Sequence, residues 1–192
     1  GYPAKVAVSS IAAAIYFALS LGYSPDKVAA AARKASSIGR MYACDFSDIP
    51  CVIDSARTYT DLSFIFGEYS RFSNDLIAVI GSVGMYARER RTEIAKALNE
   101  YGVRTVITSD DPGFEPAEKI SADIFNALAN DIEYKIIPDR RTAVREAFSM
   151  ANMDSIVLLL GKGYENYQLI GTSKLPYDDL SAAKAATRCL RT

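Results

Sequence analysis

Three observations in the 192-residue sequence predict an α/β fold, in which a doubly wound, mostly parallel, Rossmann-like sheet is preceded by a helical hairpin. From about Ile49 onward, short runs of Val, Ile and Leu alternate with helix-length segments, the pattern of repeated strand-helix-strand units. The runs lack polar alternation, so the sheet they build is covered on both faces. Polar, glycine-bearing turns follow several of them, as expected where strands of an open parallel sheet end.

Residues 5–21 carry apolar side chains on most faces and stop at Gly22, which reads as a buried helix with a glycine terminus. Ser24-Pro25-Asp26 then provides a cap and a first-turn proline for a second helix reaching about Ser36. Two helices of this size cannot enclose a core, so the hairpin requires a further packing surface. The expected strands are 51–54, 76–81, 103–108, 133–137, 155–161 and a short 168–170. Helical patterns fill 59–69, 90–100, 116–128, 140–150 and 178–190. The boundary between hairpin and α/β region falls between Ser37 and Pro50.

A formal charge of -1 gives no bulk attraction to nucleic acid or to an anionic membrane, and neither is expected as a partner. The apolar stretch 6–21 is too short and too interrupted by Ser9, Ser10 and Ser20 to span a bilayer. Cys44, Cys51 and Cys189 show no close CxxC spacing, so neither a zinc site nor a disulfide framework is indicated, and a reducing, cytoplasmic setting is expected. The sequence has no histidine, which removes the commonest general base and metal ligand. Any chemistry here rests on carboxylates, Lys, Arg or Tyr.

Two turns stand out. Thr108-Ser109-Asp110-Asp111-Pro112-Gly113 and Gly161-Lys162-Gly163-Tyr164-Glu165-Asn166-Tyr167-Gln168 each follow an apolar strand. Alone, either is equally well explained as turn punctuation; together they point to one small-molecule site at the strand ends. Gly81-Ser82-Val83-Gly84 invites a dinucleotide reading, but Val83 and Tyr86 occupy positions where G-x-G-x-x-G needs glycine. No G-x-x-x-x-G-K-[ST] occurs either, because Ile156 stands where the first glycine before Gly161-Lys162 belongs. Arg88, Arg90 and Arg91 form a basic run that reads first as a solvated helix end. At Asp139-Arg140-Arg141, Asp139 is positioned to cap a helix while the arginines pair with carboxylates.

Taken in order, these segments resemble the C-terminal domain of the Mur ligases, of the UDP-N-acetylmuramoyl-tripeptide synthetase (MurE) type. The matching stretches are Gly39-Arg40-Met41, Asp54-Ser55-Ala56-Arg57-Thr58, residues 81–91, 108–112, Ile137-Pro138-Asp139-Arg140-Arg141, 161–168 and Pro176-Tyr177-Asp178-Asp179. The resemblance implies that 1–48 is the end of a central ATP-binding domain and 49–192 the amino-acid-presenting domain. It implies an ATP-dependent ligase of peptidoglycan precursor synthesis that activates the carboxylate of a UDP-N-acetylmuramoyl-peptide as an acyl phosphate. ATP and Mg2+ would serve the full-length enzyme, none being held tightly by this chain alone, which would be inactive without the N-terminal and central domains.

Carried over position by position, the resemblance makes Arg40 and Asp54 nucleotide contacts, and Asp110, Asp111, Gly161, Lys162 and Glu165 contacts to the incoming amino acid, with no catalytic residue or metal ligand in this chain. Lys162 is expected to attract the amino acid's carboxylate. Arg57 and Tyr59 replace the family's His and Pro, Tyr86 an arginine, and Tyr164 a histidine. Gly113 stands where diaminopimelate-adding enzymes carry an arginine, so lysine or another diamino acid is expected over diaminopimelate. The alternative is a non-catalytic binding or partner module that keeps the fold.

Overall fold

A computed structural model describes residues 5–34, 40–46 and 48–188, and divides the chain into two compact units, Gly1–Ser37 and Ile38–Thr192. Gly39, Cys189 and the expected helix ends at Ser36 and Leu190 lie outside the described residues.

The first unit is the expected hairpin, α1 (Lys5–Ser20) and α2 (Pro25–Lys34). Gly22 takes the left-handed conformation, φ 86°, that ends a helix cheaply only at glycine. Asp26 in the first turn and Arg33 and Lys34 in the last complement the dipole of α2. Tyr16, Phe17, Leu21 and Tyr23 are exposed within this unit, as a hairpin without a core of its own requires.

The second unit runs β1 (Tyr42–Phe46), β2 (Ile49–Asp54), α3 (Tyr59–Tyr69), β3 (Asp75–Ile80), α4 (Glu89–Tyr101), β4 (Arg104–Ile107), α5 (Ala117–Phe125), β5 (Tyr134–Ile136), α6 (Arg140–Met150), β6 (Ser155–Leu160), β7 (Tyr167–Ile170), β8 (Ser173–Pro176) and α7 (Asp179–Arg188). Six strands form one sheet in the order β1-β2-β6-β3-β4-β5, parallel except for the edge strand β1. Side chains alternate across it. Leu76, Ala78, Ile80, Ile156, Leu158 and Leu160 join one core with residues of α3, α4 and α5. Ile77, Val79, Val157 and Leu159 join another with α6 and α7. Two apolar faces on one strand explain why the sequence shows continuous rather than alternating hydrophobicity.

Residues 168–170 form a strand, and β7 pairs with β8 in a separate hairpin. The compact units divide between Ser37 and Ile38, at the start of the expected 37–50 boundary region, and strand β1, which is absent from the expected strands, belongs to the sheet. Its five residues carry too mixed a pattern to register as a strand, and a hairpin turn at Asp48, φ 65°, folds them back onto β2. Among the described residues, no helix is long and apolar enough to cross a membrane.

Because β2, β6, β3 and β4 are mutually parallel, their carboxyl ends share one sheet edge. Asp54 closes β2, Gly81 follows β3, Thr108 follows β4 and Gly161 follows β6.

Candidate functional site

The two polar turns meet. Asp110 is fully buried, and its carboxylate lies 3.3 Å from Arg57 Nε and 3.6 Å from Lys162 Nζ. Lys162, also fully buried, is 2.8 Å from Asp111 Oδ1 and 2.6 Å from Glu165 Oε2. Arg57 closes the ring by donating from Nη2 to Glu165 Oε1 at 2.7 Å. The oxygens of Asp110, Asp111 and Glu165 come within 4.8 Å of one another around that single ammonium. Three carboxylates therefore face two cations, Arg57 and Lys162, leaving one negative charge uncompensated.

Backbone contacts hold the loops in register. Leu169 N–H donates to Asp111 Oδ1 at 2.8 Å, and Gln168 Nε2 donates to the carbonyls of Ser109 and Asp110, both at 3.1 Å. Gly113 bridges to Ile170, with Gly171 N–H donating to the Gly113 carbonyl at 2.7 Å. The β7–β8 hairpin thus serves as a clamp on the Asp110-Asp111 turn.

The glycines are explained by crowding. At Gly161, φ 101°, a Cβ would sit 2.9 Å from Asp110 Oδ2, so any side chain there collides with the buried carboxylate. At Gly81 and Gly84 a Cβ would lie 2.2 Å from the Thr108 carbonyl oxygen and 1.9 Å from that of Pro112. Those two serve the approach of the loop after β3 to the loop after β4, a role that needs no pyrophosphate.

Burial pushes the Asp110 carboxyl above the usual range, against the pull of Arg57, Arg140 and Lys162. For Lys162, burial alone would favour the neutral amine, but Asp110, Asp111 and Glu165 together raise it and keep it charged. Arg57 is raised in the same way by Asp110 and Glu165. Such a cluster is suited to cationic ammonium groups and already contains one.

Lys162 was expected to attract the amino acid's carboxylate; its Nζ is surrounded by three carboxylates, so here it balances charge inside the site. Gly161 contributes space, and its N–H is spent on the Asp54 carbonyl at 3.0 Å. Asp54 is buried and accepts from Ala56 N–H at Oδ1, 2.8 Å, and from Met41 N–H at Oδ2, 2.6 Å, which ties β2 to the start of β1. Burial raises its carboxyl despite these bonds. Arg40 is exposed and lies 6.0 Å from the Tyr164 ring centroid, bringing the two candidate groups next to each other.

Sequence reasoning noted Arg57 only as a departure, yet it bridges two of the predicted residues. Its position three residues past the end of β2 was the available signal. The basic run after β3 also resolves into two roles. Arg91 is 1% exposed and grips Glu115 through both Nη atoms, at 2.9 and 2.7 Å, with Asp123 at 2.6 Å, so it is structural. Arg88 stays largely exposed, 3.9 Å from Glu115. A cleft of about 450 Å3 is lined by Ser109, Pro112, Gly113, Glu115, Gln168 and Ile170, and none of Asp110, Asp111, Lys162 and Glu165 lines it.

Comparison with known proteins accords with this fold. The family model for the Mur ligase, glutamate ligase domain, matches residues 39–163. A UDP-N-acetylmuramoyl-L-alanyl-D-glutamate--2,6-diaminopimelate ligase from Aquifex aeolicus (strain VF5) is 33% identical over 176 residues, covering 91% of this chain and 36% of the relative. One of the same name from Trichormus variabilis is 35% identical over 140 residues, 72% of this chain and 28% of that protein. A solved structure of a ligase so named superposes with a TM-score of 0.77 at 27% identity, covering all of this chain and 40% of that one. A folylpolyglutamate synthase from Mycobacterium tuberculosis, complexed with ADP and AMPPCP, shares the fold at 16% identity and a TM-score of 0.57, over 88% of this chain and 35% of its own. The chain spans about a third of the length of the curated relatives it matches.

Proposed function

Because this chain belongs to the Mur ligase family, matching its glutamate ligase domain, we propose that it presents the amine in an ATP-dependent ligase joining a diamino acid to a UDP-N-acetylmuramoyl-peptide. The observation that carries this reading is the charge count at the strand ends. Asp110, Asp111 and Glu165 exceed Arg57 and Lys162 by one negative charge, and one ammonium group restores neutrality.

ATP and Mg2+, when bound in the whole enzyme, would supply activation of the acceptor carboxylate. This chain's residues bind and orient the attacking amine. Arg40, exposed, reaches for phosphate or base, while each oxygen of Asp54 retains capacity for a ribose hydroxyl beyond its one backbone donor. Lys162 fills the space a divalent ion would need between Asp110, Asp111 and Glu165, which favours metal contacts on a central domain. The ligase is read as a cytoplasmic enzyme.

On the amino acid, the expected preference for lysine over diaminopimelate finds no support among the relatives, whose names carry 2,6-diaminopimelate. Diaminopimelate therefore leads. Gly113 offers a distal carboxylate no side chain, but Arg88 on the neighbouring loop presents an exposed guanidinium beside Glu115.

A chimera tests the reading directly: the matching region of the Aquifex aeolicus relative is replaced by this chain, and phosphate release is followed with ATP, Mg2+, the UDP-linked peptide and each amino acid. Release that depends on a diamino acid is the expected outcome. A folded chimera that binds nucleotide but releases no phosphate with any amino acid supports the alternative, a non-catalytic module. That reading draws on Arg57, Tyr59, Tyr86 and Tyr164 at family ligand positions, of which Arg57 already spends its charge on Asp110 and Glu165.

A further inference from the structure

Cys44 and Cys51 look unrelated in the sequence, but the β1–β2 hairpin makes them direct cross-strand partners. Directly opposed residues of an antiparallel pair have Cα atoms about 4.5–5.5 Å apart and point to the same face. A disulfide spans Cα separations of about 4.4–6.8 Å. Both side chains lie on the face packed by α6 and α7, with Cys51 inside that core and Cys44 half-buried against it. Cys44 Sγ donates to the Cys51 carbonyl at 3.7 Å. Cys44 is thus half-buried and Cys51 buried at opposed positions of one face.

We propose that Cys44 and Cys51 are a thiol-oxidation site, at which a low-molecular-weight disulfide converts the pair into a cross-strand disulfide. The two sulfurs have different roles. The Cys51 thiol, and more weakly the Lys184 ammonium, hold the Cys44 thiol below its usual range against burial and the opposing charge of Asp45. Burial pushes the Cys51 thiol well up. Cys44 as thiolate attacks one sulfur of the small disulfide, forming a mixed disulfide and expelling one small thiol. Cys51 gives up its proton and attacks Cys44 Sγ, and the second small thiol leaves. In balance, two protein thiols and one small disulfide become one protein disulfide and two small thiols. The new bond ties the edge strand β1 to β2, on the turn side of the Met41–Asp54 contact. This inference does not rest on the function proposed above.

The test treats the reduced chain with oxidised glutathione under native conditions, in wild type and in a Cys189→Ser background. Both are expected to lose two titratable thiols, to retain no glutathione, and to yield a proteolytic fragment joining the peptides that hold Cys44 and Cys51. Cys51→Ser is expected to retain one glutathione on Cys44, and Cys44→Ser to react at least tenfold more slowly than wild type. Glutathione persisting on wild-type Cys44, a crosslink through Cys189, or native thiols that remain unreacted would overturn the proposal. The wild-type peptide map decides even where a variant fails to fold.

Discussion

Lys162 has no exposure, yet it carries a full charge, and it can do so only because Asp110, Asp111 and Glu165 surround it. Removing one partner of a buried ionic group leaves the others uncompensated, at a cost of about 3–5 kcal/mol. Lys162→Met is therefore expected to lower unfolding free energy by about that amount in urea denaturation; a loss below about 1 kcal/mol would show that the cage does not form. Gly161→Ala meets both a strained φ and the Asp110 carboxylate, and about 1–3 kcal/mol of destabilisation is expected from the same measurement. Glu115 behaves differently. Arg91, with help from Met85 N–H, holds its carboxyl at about 2 instead of the ordinary 4.5. A carboxyl lowered by folding adds stability that is complete above 4.5 and is lost as pH falls from there to about 2. Glu115→Gln should flatten the acid limb of a stability–pH curve in that window, and an unchanged limb would remove the Arg91 pairing from the account. At this scale the meeting of the Asp110-Asp111 and Lys162–Glu165 turns was legible, because both follow apolar strands whose ends share one sheet edge. The role of Lys162 was not, since sequence cannot say whether a lysine faces outward or is buried among acids.

Among the elements, α6 and α7 are joined by a buried pair, Arg140 to Asp179, through Nε–Oδ1 at 3.0 Å and Nη2–Oδ2 at 2.9 Å. Arg140 also donates to the Leu160 carbonyl at the end of β6, and Tyr177 donates to Asp179, so the pair anchors both helices to the strand that carries the Gly161 turn. Asp179→Ala alone is expected to cost about 3–5 kcal/mol, whereas Arg140→Met with Asp179→Ala recovers most of it, because no buried charge is then stranded. Additive losses in a double-mutant cycle would contradict this coupling. The sequence predicted pairing of Arg140 and Arg141 with carboxylates; Arg140 does so, whereas Arg141 donates to the Pro176 carbonyl at 3.2 Å and lies over the Tyr177 ring. Asp139 caps α6 as expected, accepting from Thr142 N–H at 2.8 Å. Strands β1 and β8 were missed because edge strands of mixed polarity carry no periodic signal, and with β1 went the cross-strand cysteines.

At the scale of the whole molecule, the doubly wound fold was legible because each central strand feeds two cores, which writes continuous hydrophobicity into the sequence. The parallel order then brings the exits of β2, β4 and β6 together without any further instruction. What the sequence hid was the internal neutralisation of the site, a property of three loops folding onto one another. A chain spanning a third of its relatives' length, without a phosphate-loop motif, is expected to release no phosphate on its own with ATP, Mg2+, the UDP-linked peptide and diaminopimelate. The central claim is that the excess negative charge of this cluster holds the amine donor, and the amino-acid KM of the chimera with Glu165→Gln measures it. Loss of a charge-assisted bond of about 1.5–3 kcal/mol predicts a KM for the amino acid raised about tenfold to a hundredfold, with the KM for ATP unchanged. An amino-acid KM that does not move, or one that rises only together with that for ATP, would contradict it.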